Sequence, residues 1–320
     1  MHRNDYQHHH ADTYHGHSLA EDIAVMETLF ARRRTLKWFA GAGTMALVSG
    51  CGGSSADSTD AVTTVTTTTA TPTSTATSTP TPTATTTSTG CIVDPTETAG
   101  PYPADGTNTA SGSTSNALTV SGIVRSDIRS SFISTTTVAT GTQLTITLTV
   151  VDVNATCAPL ANYAVYLWQC DRNGNYSLYT APTESYLRGI QVTDAAGQVT
   201  FTTIVPGCYD GRYPHMHFEV FSTLAAATSG RYAVLTSQLA MPTALCNAVY
   251  ADTTLYPASA TRYAKITTAS DNVFGDNTAA QIAQQTPTFA GSVAAGYTAN
   301  VDSSCGGTLA GSMGVFSSHG

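Results

Sequence analysis

Between Ala61 and Thr89 the chain carries 17 threonines in 29 residues, with Pro72, Pro80 and Pro82 among them and no charged side chain. A stretch of this kind cannot bury enough apolar area to offset the entropy of ordering it, so it stays extended. Gly52 to Gly90 is therefore expected to be a stalk that holds a domain away from a surface. Whatever folds around a core must lie in residues 91–320, a length that suits one all-β domain.

The segment before the stalk reads as an address. Arg32-Arg33-Arg34-Thr35-Leu36-Lys37 resembles a twin-arginine export motif, and the apolar run from Trp38 to Val48 that follows it is too short to span a bilayer as a folded anchor. It ends at Val48-Ser49-Gly50-Cys51, which resembles a lipoprotein processing site with Cys51 as the lipidated residue. The expected organisation is a signal segment over 1–50, the lipidated cysteine and stalk over 51–90, and a folded domain over 91–320. The expected location is exported, lipid-anchored at the cell envelope or secreted, with membrane contact only through that lipid. His8-His9-His10, His15 and His17 lie before the processing site and would be lost with it.

Charged residues make up only 11% of the chain, lysine is limited to Lys37 and Lys265, and the formal net charge is −8. That excludes the basic face a nucleic-acid partner needs. Fifteen tyrosines and an ordinary apolar share argue for a real core rather than acidic disorder. Beyond Cys51 six cysteines remain, Cys91, Cys157, Cys170, Cys208, Cys246 and Cys305. In an exported domain they suggest up to three disulfides, with Cys208 a candidate for one. No Cys-x-x-Cys pair supports a zinc ribbon.

From Ala117 onward the chain reads as strands. Thr142 to Val151 alternates with period two, and Tyr163 to Cys170 is β-branched and aromatic. Further strands are expected over Ile190 to Thr193, Gln198 to Ile204, His215 to Phe221 and Tyr232 to Ala240. Turns fall at Asp171 to Asn175 and Ala195 to Gly197, and a short helix at Ala244 to Tyr250. The expected fold class is all-β, a β-sandwich with long loops and little helix.

His215-Met216-His217 carries the chemistry. Residues i and i+2 of a strand share a face, so both imidazoles can converge on one ion while Met216, Phe218 and Val220 point into apolar packing. No cysteine or carboxylate is spaced to complete a zinc site there, although Asp210 and Glu219 are near. Tyrosine recurs instead, at Tyr176, Tyr209 and Tyr213. A trivalent ion lowers a phenol's pKa far enough to bind it as phenolate. Two phenolates with two neutral imidazoles suit ferric iron better than ferrous iron, zinc or copper.

These residues resemble the intradiol ring-cleavage dioxygenases, non-haem ferric enzymes acting on catechols, over most of residues 91–320. The resemblance rests on Glu97-Thr98-Ala99-Gly100-Pro101-Tyr102-Pro103, Leu167-Trp168-Gln169-Cys170-Asp171 with Gly174-Asn175-Tyr176, and Arg188-Gly189-Ile190-Gln191-Val192-Thr193-Asp194. It continues through Pro206 to His217, with Tyr209-x-x-Arg212-x-x-His215-x-His217 as the specific part, and through Thr236-Ser237-Gln238-Leu239 and Asp271-Asn272-Val273-Phe274. It is similar above all to an exported subgroup labelled protocatechuate dioxygenase β-like.

The resemblance implies one ferric ion per chain held by Tyr176, Tyr209, His215 and His217, with Tyr209 displaced by substrate. It implies Arg212 over the substrate ring and Gln238 at an oxygen pocket. A catechol and O2 would be the partners, and a muconate-type diacid the product. Exchanging Tyr209 and a hydroxide for a catecholate dianion leaves the charge of the site unchanged, and the released bases would take the two catechol protons. The chain departs from the family at Cys208, in the 20 residues between His217 and Gln238, and in lacking a helical dimerisation segment. With only eight cations after residue 90, uncharged catechols are favoured over carboxylated ones. Two other readings fit these residues less well: a stalked, non-catalytic binding or adhesion module of transthyretin-like type, and a zinc or copper hydrolase or oxidase.

Overall fold

Alternation builds the first sheet. The computed structural model describes residues 93–305, so the expected signal segment, Cys51, the expected stalk and Cys91 lie outside the described residues. Strand β1 (Gln143–Asp152) buries Leu144, Ile146, Leu148 and Val150 and turns its threonines outward. It pairs antiparallel with β5 (Gln198–Ile204) and with the short β2 (Ala158–Pro159), and parallel with β9 (Gly296–Cys305), which pairs in turn with β8 (Thr288–Ser292).

The second sheet runs β4 (Arg188–Val192), β3 (Ala164–Trp168), β6 (His215–Phe221) and β7 (Leu235–Ala240), antiparallel throughout. One face packs on the first sheet through Val165, Leu167, Met216, Phe218, Val220, Leu235 and Leu239, as the alternation of β6 predicts. Fully burying side chains of this size contributes roughly 1.5–3 kcal/mol each. The opposite face is also buried, because the segments around Ala104 to Ile123 and Tyr176 to Tyr179 cover it. Every residue of β3 and β6 is therefore buried. A polar side chain on that second face sits in a dry environment and needs partners.

Three short helices follow: α1 (Thr243–Tyr250), α2 (Ser259–Tyr263) and α3 (Ala279–Gln284). The expected sandwich, its strands and the helix near Ala244 are all present. Three things differ. Ala117 to Gly141 forms one 3-10 turn and isolated bridges rather than strands, since it wraps over the buried second face. Strands β8 and β9 lie where the sequence shows no sharp alternation. The three-disulfide framework is absent: Cys170, Cys208 and Cys246 are free and buried, whereas Cys157 is disulfide-bonded. Cys208 packs as a small core residue, its Sγ facing the carbonyls of Tyr209 and Arg212 rather than a second sulfur.

Candidate metal centre

One register row carries most of the site's walls. Arg188 of β4 lies opposite Trp168 of β3, Trp168 opposite His217 of β6, and His217 opposite Gln238 of β7. His215 shares that face two residues back along β6. Tyr176 arrives from the Asp171–Asn175 turn, where Asp171 Oδ1 accepts from the backbone N–H groups of Asn173 and Asn175 and Gly174 adopts φ +90°. Tyr209 arrives from the loop before β6.

Four donor atoms meet. Tyr176 Oη lies 3.3 Å from His215 Nε2 and 3.2 Å from His217 Nε2. Tyr209 Oη lies 3.1 Å from His215 Nε2, and the two Nε2 atoms are 3.1 Å apart. His215 Nδ1 faces the carbonyl of Tyr213, which can only accept. The ring proton therefore sits on Nδ1, and the Nε2 lone pair points into the cluster. His217 is fixed differently: its ring stacks on Trp168 at 4.9 Å and 7°.

Burial sets the protonation. Desolvation holds both imidazoles well below their ordinary range, reinforced at His215 by Arg212 and at His217 by His215 and then by Arg212 and Arg188. Desolvation likewise pushes both phenols up.

The donors suit a single metal ion. Ligands about 2.0–2.2 Å from one ion, at angles between about 90° and 110°, lie about 2.8–3.6 Å from one another, and the separations here fall inside that span. Among the described residues no group of three or more His, Cys, Asp or Glu is placed to hold a metal. A site here must use the phenols. Asp210 is exposed, and Glu219 turns to Asp105, so neither carboxylate joins.

Arg212 is buried beside the cluster. Its Nε donates to Asp271 Oδ2 at 2.9 Å and Nη2 to Gln238 Oε1 at 2.6 Å, leaving Nη1 turned toward His215 Nε2 at 3.5 Å. Gln238 in turn donates from Nε2 to the carbonyl of Thr98. Every expected site residue of the domain is thus brought together. Sequence alone does not reveal Asp271 as Arg212's partner, Trp168 as the plate behind His217 or Gly100 as its cover; the first pair is separated by 59 positions, and no local pattern connects them.

Tyr209 and the run from Gly100 to Tyr102 are half-buried, while Tyr176, Arg212, both histidines and Gln238 are buried, so the cluster opens to solvent on that side. Gly100 has φ +71°, and a Cβ there would stand 3.1 Å from His217 Cε1. We expect Gly100→Ala to strain this turn and press on the imidazole, weakening metal uptake about tenfold while the strands persist, as read by metal titration and circular dichroism.

At the foot of the same run, Glu97 accepts from Asn277 Nδ2 at 2.8 Å and Gln285 Nε2 at 3.4 Å. Burial raises its pKa from 4.5 to about 7, against the lowering by those two amides. The folded carboxyl therefore keeps a proton that the unfolded chain releases, and stability from this group falls as pH rises from about 4.5 to about 7. Glu97→Gln should flatten that slope in thermal melts from about pH 5 to about pH 8.

Residues 129–233 match the model of a family described as dioxygenase, and this span holds all four donors and Arg212. Over this span the domain is similar to the dioxygenases. A solved dioxygenase shares the fold of this domain. A dioxygenase crystal structure is 24% identical with a TM-score of 0.50, covering 68% of this chain and 95% of its own. An intradiol ring-cleavage dioxygenase from Tetranychus urticae is 23% identical over 68% of this chain and 95% of its own, with a TM-score of 0.48. A 3-chlorocatechol 1,2-dioxygenase from Rhodococcus opacus 1CP is 19% identical over 67% and 72%, with a TM-score of 0.40. Among curated proteins none is similar enough in sequence to count as a relative.

Proposed function

We propose that the domain is a ferric intradiol dioxygenase that opens catecholic rings between the two hydroxylated carbons with O2, giving muconate-type diacids. The observation that carries this reading is the convergence of Tyr176 Oη, Tyr209 Oη, His215 Nε2 and His217 Nε2, linked by contacts of 3.1–3.3 Å, with Arg212 Nη1 beside them. Those four residues would hold one ferric ion, which supplies Lewis acidity and draws electron density from a bound catecholate.

The chain's own residues do the rest. Tyr209, half-buried at the open side, is the donor free to leave, and its phenolate Oη is a base for one catechol proton. Tyr176, 1% exposed with its ring 4.9 Å from that of Tyr102, stays. The Nη1 of Arg212 supports negative charge developing on the ring, in a buried setting where such stabilisation is strong. Asp271 and Gln238 keep that guanidinium from rotating away.

The substrate class follows from which cations are already committed. Arg188 uses every donor on Ser177, Tyr166 and the carbonyls of Tyr102, Pro103 and Ser177, and Arg212 is held by Asp271 and Gln238. Arg188 has no donor left to clasp a carboxylate and Arg212 is pinned by two partners, which supports uncharged catechols over carboxylated ones. We also propose that the domain is exported and tethered through Cys51 on its stalk; fatty-acid labelling lost in Cys51→Ala would support this, and unlabelled wild type would overturn it.

The deciding experiment is metal content and visible absorbance of the purified protein, before and after catechol is added without oxygen. About one iron per chain and a tyrosinate-to-iron band that shifts on catechol addition are expected. Colourless, iron-free protein after reconstitution would overturn the reading.

A further inference from the structure

The four donors are not held alike. His215 and His217 ride on β6, and Tyr176 is buried behind its turn. Tyr209 sits on a short arch whose ends are held by side chains rather than by a sheet. At the far end, Asp271 Oδ2 takes the Nε–H of Arg212 and the backbone N–H of Tyr213 at 2.7 Å. At the near end, both backbone groups of Cys208 are taken by the five-residue helix α2. The N–H of Cys208 donates to Ser259 Oγ at 3.0 Å, and its carbonyl accepts from Arg262 Nη1 at 3.3 Å.

Arg262 reaches further. The same Nη1 donates to the carbonyl of Asn173 at 3.0 Å, and its Nε pairs with Asp210 Oδ2 at 3.4 Å. It therefore joins the peptide three residues before Tyr176 to the residues on either side of Tyr209. The junction is close-packed, because a Cβ on Gly174 would stand 2.7 Å from Tyr209 Cβ and 3.6 Å from Arg262 Nη1. Beyond Tyr209 the arch is open: Gly211 has φ +84° and no atom within 4 Å of where a Cβ would be. Slack at Gly211 separates Tyr209 from the far anchor, so the nearer hold on it is the one from α2.

We propose that Ser259 and Arg262 are positioning residues for Tyr209, forming a bracket that sets how readily its phenol leaves the donor cluster. The inference deepens the dioxygenase reading and rests on it for the consequence, though not for the bracket itself. If substrate must displace Tyr209, a tighter bracket opposes substrate and a looser one favours it, because the competent state is populated more often. Loosening the bracket thus strengthens substrate binding, whereas simple damage to the fold would weaken it.

Two measurements test this with the full chain. In metal-free protein, amide exchange across Pro206–Arg212 should quicken about three- to tenfold in Ser259→Ala and in Arg262→Ala, the effect of losing one or two hydrogen bonds. In iron-loaded protein without oxygen, catechol should bind about three- to tenfold more tightly to Arg262→Ala, followed by the shift of the visible band. Arg262→Lys, which keeps the charge facing Asp210 but not the planar fork, should fall between. Unchanged exchange in both alanine variants would overturn the bracket. Faster exchange with unchanged or weaker catechol binding would overturn its action on Tyr209. Wild-type protein that takes up no iron would instead defeat the dioxygenase reading, and the exchange measurement would still decide the bracket.

Discussion

Tyr176→Phe is expected to bind ferric iron at least about a hundredfold more weakly and to lose most of its visible band, with little loss of fold. The substitution removes one atom, Oη, which stands within 3.3 Å of both Nε2 atoms. The ring itself remains packed against Tyr102 at 4.9 Å and edge-on to Tyr209 at 5.9 Å. His217→Ala should give the same metal loss but cost more stability, because it also strips the ring that stacks on Trp168. Metal analysis and thermal denaturation of the same samples separate the two effects. Full iron content in Tyr176→Phe would remove that residue from the ligand set.

The second large effect concerns Arg212 and Asp271, and it is asymmetric. Asp271 accepts four hydrogen bonds: from Arg212 Nε, and from the backbone N–H groups of Tyr213, Val273 and Phe274. Asp271→Ala leaves a buried guanidinium without its counter-ion and three N–H groups without acceptors. The expected cost is about 3–5 kcal/mol, read from urea unfolding. Arg212→Met leaves Asp271 with its three backbone donors, so the stability loss should be smaller. Its signature is catalytic: kcat for catechol should fall about 10²–10³-fold with iron content unchanged, if the guanidinium stabilises developing charge on the ring. Equal stability losses in both variants would contradict the asymmetry.

The parts of this molecule legible in its sequence are those encoded by short periods. Alternation in Thr142 to Val151 and Gln198 to Ile204 marks two strands of one sheet, and His-x-His marks a pair of imidazoles on one face. Tyrosines at 176, 209 and 213 also stand out once the histidines suggest a metal, and the family resemblance is what singles out 176 and 209 among them. What the sequence conceals is contact between distant positions. Nothing near Arg212 announces Asp271, and nothing near Tyr209 announces Ser259 or Arg262, since those pairings exist only after the chain closes. The cysteines mislead for a related reason: an even count suggests bridges, but Cys170, Cys208 and Cys246 fill core positions as small apolar side chains. Strands β8 and β9 escape notice because Gly, Ala and Ser dilute their alternation, and the partnership with β1 supplies what local propensity does not.

The row from Arg188 through Trp168 and His217 to Gln238 gives the centre an unusual relation to folding. Each member comes from a different strand, and each meets its neighbour only in the correct pairing. A slip of one residue in β6 would present Met216 and Phe218 to the phenols and turn both imidazoles into the sandwich core. Both imidazoles ride on β6, but the phenols come from loops packed against the finished sheet, so metal has no full donor set to hold until those pairings are complete. The ion cannot act as a nucleus around which the chain gathers, as it does in small zinc domains. It acts as an inspector of finished work, and iron uptake during refolding should lag behind sheet formation rather than lead it.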